Sequence, residues 1–388
     1  MDGRVEYLKL PIVVDIGSGE VKAGFSGEEN PKVIFQNYFG EPKYKKILRT
    51  FNNENQEINE QFIGEDCEKY MGLIKLRFPV KHGVFESEQD VLSVFNHLYS
   101  KIGLNSQEIK EHPVLITEPL LNPYTNREKI AYSLIDNLGV PALFFASQPI
   151  LSLFSTSNTS GTVLESGEGV TQSCVIYEGY SISSSYERYN YGGGDVTEYL
   201  KNLLRKKGYH FYNSSEFRLV KDIKENSCFC YPNNANNDIE ETKRSANKNP
   251  NNYYLPDGSC ILIGDEKLLA PEILFNPEYI GKEYLSFPDM IISSINKVDI
   301  QIRLKSYENI LLSGGNTCFN ALNEQLHSEL KNKLIKNMKI NINKSVKPKY
   351  SCWIGGNIIS TLEIFKKMWV TRNDWNEKGT KVIHVKTI

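Results

Sequence analysis

No stretch of this chain is both apolar and long enough to cross a bilayer. Its most apolar run, VPALFFASQPILSLF at 140–154, is short and broken by Pro141 and Pro149, whereas a membrane helix needs about twenty apolar residues. The first apolar run leads straight into a glycine-rich turn, so no cleavable signal pattern is read at the N-terminus. Metal-site spacings are missing too. Cys228 and Cys230 make only a C-x-C pair, with no C-x-x-C and no H-E-x-x-H. The seven cysteines are odd in number and scattered, which argues against a disulfide framework and for a reducing intracellular compartment. Charge of one sign is not in surplus either. A net charge of −2 gives no global field toward nucleic acid or an anionic membrane. Local basic clusters such as Arg205-Lys206-Lys207 read as a solvated helix end.

What is present is an ordinary globular composition, 40% hydrophobic and 24% charged over 388 residues. That length implies two or three domains or one large two-lobed fold. LKLPIVVDIG is a buried-strand pattern ending at Gly17, and EVKAGFSG follows at once as a second strand, so the pair predicts a hairpin. Residues 41–60 are polar and read as an exposed loop or a small mobile subdomain. Residues 87–100 carry a helical period with Val91, Leu92, Val94, Phe95, Leu98 and Tyr99 on one side. PVLITEP at 113–119 is a strand stopped by proline, and Asn126 is expected to cap a helix running to about Leu138. ALFFAS is a further strand, and PILSLFST a helix with Pro149 in its first turn. Another strand begins near Gly161. This alternation implies an α/β fold with a mixed sheet. The Asn-rich stretch 231–252 reads as a solvated insertion. A hairpin is expected around Asp257-Gly258, and a turn at Gly355-Gly356 ahead of an amphipathic helix.

Three strands run into glycine-rich turns, at 15–19, 165–169 and 313–316. The first two repeat one pattern, acid-x-Gly-x-Gly. A single such turn is an ordinary composition for a bend; the repetition at matching strand ends is what points to chemistry. Glycines let backbone N–H groups approach an anion. Ser18 adds a hydroxyl, and Lys22 can reach back over the turn to neutralise phosphate. Asp15 and Glu165 end their strands, and two such carboxylates beside a polyphosphate suit a hydrated Mg²⁺, which takes few direct protein ligands. The pattern is neither the P-loop G-x-x-x-x-G-K-[ST] nor a dinucleotide G-x-G-x-x-G. In YGGGDVTEYL, Asp195 is expected near a helix cap. Two similar hairpins, one per lobe, would hold a nucleotide's phosphates between them.

DIGSGEVKAGFSG, HPVLITEPLLNPYTNREK, SLFSTSNTSGTVLESGEGVT, IYEGY, LPDG, LLSGGN and KYSCWIGGNI resemble actin-family motifs in actin order, over nearly the whole chain. Within that family PKVIFQNYFGEPK, LRKKGYHFYNSSEFRLVKDIKE, APEILFNP and FKKMWV resemble the centractin branch. The resemblance implies the actin-like ATPase fold, two pseudo-duplicated lobes around a cleft holding ATP or ADP with Mg²⁺. It divides the chain into subdomain 1 (1–36, 79–155 and 351–388), subdomain 2 (37–78), subdomain 3 (156–191 and 283–350) and subdomain 4 (192–282). It implies that Gly17, Ser18, Gly19 and Lys22 hold phosphates and that Gly167, Glu168, Gly169 and Val170 form the opposing loop. Asp15 and Gln148 would face metal waters and the attacking water, with Glu165 the second carboxylate behind the metal's water. Lys224 and Glu225 would hold the ribose and adenine side, although by composition alone they sit on a solvated helix face. Lys221 and Phe319 would lie near the base, Gly314, Gly315 and Asn316 would line the pocket, and Lys349 would lie over the base.

The chain also departs from the family pattern. Glu165 stands where actins carry Asp, and Gln172 where they carry a His that helps activate water. Glutamine orients water but accepts no proton at neutral pH, and losing a general base costs roughly 10²–10⁴ in rate. Nucleotide binding with slow or absent hydrolysis is the expectation. YKKILRTFNNENQEINEQF is polar where actins insert a short apolar loop into the neighbouring subunit, and KTI replaces an aromatic C-terminus. The expectation is a cytoplasmic cytoskeletal subunit, nucleus allowed, of a short filament or dynactin-like complex. Its partners would be itself or other actin-family subunits, with no direct nucleic acid. A non-polymerising scaffold of a nuclear or branching complex is the alternative. A sugar kinase finds no matching pocket stretch, and the 70-kDa chaperone type no room for a peptide-binding domain.

Overall fold

The computed structural model describes residues 9–43, 62–231, 251–255, 258–336 and 338–386. Most of the polar 41–60 stretch with its filament-loop match, the Asn-rich insertion, Asp257 of the predicted hairpin tip and the last two residues lie outside them. The chain divides into two compact units. The first comprises Met1–Ser160, Ile176–Ser181 and Lys349–Ile388, the second Gly161–Val175 and Ile182–Pro348.

The first unit is built on a mixed sheet. Its strands lie in the order Val370–Thr371, Ala142–Ser147, Val114–Glu118, Ile12–Ile16, Glu20–Phe25 and Val33–Gln36. Ile12–Ile16 runs antiparallel to Glu20–Phe25 and parallel to Val114–Glu118. The three central strands are buried along their whole length, as expected for strands covered on both faces. Alternation along the strand separates the two faces. Val14, Ile116 and Phe145 join Val91, Phe95 and Leu98 of the helix Glu88–Ile102. Val13, Leu115 and Phe144 join Leu151 and Trp353 on the other side. Ser87 caps the Glu88–Ile102 helix by accepting from the Asp90 N–H at 3.1 Å, and Gly103 ends it in the left-handed conformation. The fully buried Trp353 donates its indole N–H to the Val13 carbonyl at 3.0 Å, which satisfies its one polar atom.

Two sequence expectations are corrected in this unit. Asn126 does not cap a helix. The helix Tyr124–Ala131 starts after Pro123, and Asn126 is buried inside its first turn, accepting from the Phe85 N–H and donating to the Asn122 side chain. Its amide serves a neighbouring loop rather than its own helix end. Gly355 and Gly356 form no turn; they lie within the helix Ser351–Thr361. That helix packs on Gln148–Phe154, and a Cβ on Gly355 would sit 1.8 Å from the Leu151 carbonyl oxygen. Glycine stands there for close backbone approach.

The second unit repeats the scheme. The 171–175 part of the strand Thr171–Tyr177, then Gly161–Ser166, Ile310–Ser313 and Ile342–Lys344 are neighbours in that order, with Glu187–Tyr189 antiparallel to Thr171–Ser173. Gly161–Ser166 runs parallel to Ile310–Ser313, as Ile12–Ile16 does to Val114–Glu118. Its core joins Leu164, Val175 and Leu312 of the sheet to Val196, Leu200 and Leu204 of the helix Gly193–Lys206 and to Met290 and Ile291. Arg205, Lys206 and Lys207 lie exposed at that helix's end, as their composition predicts. Smaller sheets pair Phe39–Pro42 with Phe62–Ile63 and Ile74–Arg77, and Asn251–Tyr254 with Cys260–Ile263.

Candidate functional site

In the first unit the hairpin turn closes with the Gly17 N–H donating to the Glu20 carbonyl at 2.9 Å. The register sets Asp15 opposite Lys22, and Lys22 Nζ lies 3.2 Å from Asp15 Oδ2 with both side chains largely buried. Burial opposes the Lys22 ammonium, but the Asp15 and Glu20 carboxylates outweigh it and hold its pKa above the ordinary lysine value. The cation is therefore fixed beside the turn at neutral pH. Asp15 also accepts from Thr117 Oγ at 2.6 Å and from Gln148 Nε2 at 3.4 Å. Ser18 Oγ accepts from the Gly83 N–H at 3.2 Å. Among the described residues the Ser18 and Gly19 N–H groups donate to no carbonyl, which leaves two donors at the tip for an anion.

Two residues here escaped the sequence reading. Thr117 sits one step beyond the Val14–Ile116 parallel pair, so its position beside Asp15 follows only once the strand pairing is known. Asn37 is fully buried. Its backbone N–H donates to the Gly19 carbonyl at 2.9 Å and its side-chain amide to the Gly17 carbonyl at 2.8 Å.

The second unit carries the echo. The Gly167 N–H donates to the Val170 carbonyl at 2.9 Å, the same closure as in the first hairpin. Glu165 is buried and accepts from Gln172 Nε2 at 3.1 Å, and Gln172 is 1% exposed. Each acid thus has a glutamine amide on one oxygen, Gln148 for Asp15 and Gln172 for Glu165. Asn316 donates to Ser166 Oγ at 2.8 Å and to the Gly167 carbonyl at 2.9 Å. The third glycine turn lies against the second. Gly314 has φ 89°, and a Cβ on it would stand 2.2 Å from the Ser166 carbonyl oxygen, so only glycine fits there.

The start of the helix Gly193–Lys206 props the same turn. The Gly193 N–H donates to the Gly167 carbonyl at 2.9 Å and the Gly194 N–H to the Glu168 carbonyl at 2.8 Å, which uses two orphan donors of a helix N-terminus. Asp195 accepts from the Gly192 N–H at 2.9 Å, the capping role its position predicts. Lys224 is not on a solvated face; it is 3% exposed. It donates to the Gly193 carbonyl at 2.8 Å and lies 3.7 Å from Glu168 Oε2. Desolvation lowers its pKa, with Glu168 acting in the opposite direction. Composition cannot show this, because burial of a lysine depends on what packs over its helix.

The remaining candidates are less gathered. Lys221 is half-buried and Glu225 exposed on the helix Ser214–Ser227 that carries Lys224. Gly315 begins the short turn that ends before the half-buried Phe319. Lys349 is half-buried in the turn Pro348–Tyr350. Among the described residues no three His, Cys, Asp or Glu side chains converge as a bare-metal cage. A cation held by Asp15 or Glu165 would keep most of its waters, as Mg²⁺ does.

A family model described as Actin matches residues 9–388. A protein described as Actin-like protein, from Neurospora crassa, is 40% identical over 382 residues, which cover 97% of each chain.

Proposed function

The chain belongs to the actin family, and from that premise we propose that it binds ATP or ADP with Mg²⁺ through its two glycine turns and hydrolyses ATP slowly or not at all. The observation that carries the reading is the repeated closure, Gly17 to Glu20 and Gly167 to Val170, each behind a buried, amide-held acid. In this reading Gly17, Ser18, Gly19 and Lys22 take phosphate oxygens from the first unit, and Gly167, Glu168, Gly169 and Val170 from the second. Asp15 of the first unit and Glu165 of the second would each offer a carboxylate to the waters of a bound magnesium ion, which would supply charge neutralisation for the phosphates. Lys224 works from beneath the second turn, steadying Gly193 and Glu168, while Lys221, Glu225, Gly314, Gly315, Asn316, Phe319 and Lys349 are assigned to the base and ribose side. Gln172 orients Glu165 by donating an amide proton and accepts none, so a general base is missing at that position. The protein then serves as a nucleotide-braced cytoskeletal subunit of a short filament or dynactin-like complex. The support for that finer assignment is the centractin-like stretches of the sequence.

The purified protein, denatured and analysed by chromatography, should release about one adenine nucleotide per chain. Phosphate release from ATP should be slow and should rise on Gln172→His. Bound nucleotide with rapid turnover in the unaltered protein would remove the hydrolysis claim, and a nucleotide-free protein that binds none would remove the whole reading. Sedimentation with ATP and Mg²⁺ separates a filament former from a scaffold.

A further inference from the structure

Beneath the second turn, buried polar groups are joined into one line. Asn316 donates to Ser166 Oγ at 2.8 Å, Ser166 Oγ lies 2.8 Å from Thr171 Oγ1, and Thr171 donates to the Tyr191 carbonyl at 2.9 Å. Ser166, Thr171, Tyr191 and Asn316 are all buried. The direction of the line follows from its hydrogens. A carbonyl only accepts, so the single Thr171 hydroxyl hydrogen goes to Tyr191. Towards Ser166, Thr171 is then left to accept, and Ser166 in turn accepts from the Asn316 amide. The orientation of that amide is set as well, because its nitrogen also donates to the Gly167 carbonyl at 2.9 Å. Every hydrogen bond in the line therefore runs one way, from the third glycine turn to the residue before Gly192.

Ser166 ends the strand Gly161–Ser166 and Thr171 begins the strand Thr171–Tyr177, so the hydroxyl pair closes the base of the loop 167–170. The ends of the line carry the groups that hold the turn's carbonyls. Asn316 donates to Gly167 at one end. Just past Tyr191 at the other, the Gly193 N–H donates to Gly167 and the Gly194 N–H to Glu168. A trans peptide sets its C=O and the following N–H in opposite directions. Drawing the Gly167 and Glu168 carbonyls toward the start of the helix Gly193–Lys206 thus aims the Glu168 and Gly169 N–H groups away from it. Backbone donors aimed by a buried scaffold are what an anion site requires. Given the proposed nucleotide binding, on which this rests, we infer that Ser166 and Thr171 are positioning residues for its phosphates. Buried as they are, their hydroxyls act through the turn. They fix the direction in which it presents its backbone to a di- or triphosphate.

Thr171→Val keeps the shape of the side chain and removes its hydroxyl, whereas Thr171→Ser keeps the hydroxyl. Inhibition constants for ATP and for adenosine, from displacement of a fluorescent ATP analogue on the full chain, read the effect. Buried polar groups left unpaired are costly, so Thr171→Val should weaken ATP binding about five- to thirtyfold. Adenosine, which has no phosphate, should change little. Thr171→Ser should bind ATP as the unaltered chain does. Ser166→Ala should act as Thr171→Val does, and it carries the test if thermal unfolding shows Thr171→Val to be unfolded. The double variant should lose less than the product of the single losses, because each single change already breaks the same line. Unweakened ATP binding in the folded variants, equal losses for ATP and adenosine, or no recovery in Thr171→Ser overturns the inference and leaves the nucleotide reading standing. An unaltered chain that binds neither ATP nor the analogue removes the nucleotide reading, and the inference with it.

Discussion

Asn37 holds the first turn by both of its donors, the backbone N–H on Gly19 and the side-chain amide on Gly17. The Gly17 carbonyl is half-buried, and losing its donor costs part of the roughly 1–3 kcal/mol that a fully buried carbonyl would. Part of that cost falls on the turn that leaves the Ser18 and Gly19 N–H groups without a carbonyl partner among the described residues. Asn37→Ala should therefore weaken nucleotide affinity by roughly five- to tenfold, about 1–1.4 kcal/mol, measured by displacement of a fluorescent ATP analogue. A variant that melts earlier but binds nucleotide as before would show Asn37 to be purely structural. Lys22 and Asp15 were legible without coordinates, because a tight hairpin fixes which residues face one another. Asn37 was not. An asparagine after a strand is ordinary turn composition, and its partners are set by the turn that the sheet brings beside it.

Among the elements, the helix Ser351–Thr361 is the most sensitive to volume. Gly355 faces the Leu151 carbonyl oxygen at a distance that no Cβ tolerates. Alanine would favour the isolated helix by about 1 kcal/mol, yet overpacking costs about 1–3 kcal/mol and more when backbone must move. Gly355→Ala should lower the melting temperature by several degrees, since about 1 kcal/mol shifts a unit of 150–250 residues by 2–4 °C. Gly72→Ala, where a Cβ meets nothing within 4 Å, is the control and should be neutral. If the two variants melt together, the close packing of these helices is not what Gly355 is for. The strands were readable because the runs IVV ahead of Asp15 and VLI ahead of Thr117 are buried on both faces and therefore continuously apolar. The Gly-Gly pair was misread as a turn because a glycine chosen for packing and one chosen for bending look alike in sequence.

At the scale of the molecule, a ligand that binds only the folded chain raises its stability by mass action, about 2.7 kcal/mol at a hundredfold excess over Kd. Addition of ATP with Mg²⁺ should raise the melting temperature with the logarithm of ligand concentration, a chelator should reverse part of the rise, and Lys22→Ala should abolish most of it. A melting curve indifferent to millimolar nucleotide would contradict the proposed function directly. The two units each possess a core and each carry one acid-x-Gly-x-Gly turn, so the nucleotide reading requires that both of these turns matter. Substituting Gly167 should reduce the thermal shift as substituting Lys22 does.

The sequence by itself determined the two acid-x-Gly-x-Gly turns, the strands leading into them, the cap at Asp195 and the family. Turn chemistry and apolar runs are properties of a few adjacent residues, and they survive without knowledge of neighbours. The tertiary structure alone decided that Lys224 is buried under Glu168 and Gly193, that Thr117 and Asn37 stand at the first turn, and that Gly355 sits inside a helix. Each of these depends on which distant segment excludes water or supplies a partner. Only the packed sheet and its covering helices determine that.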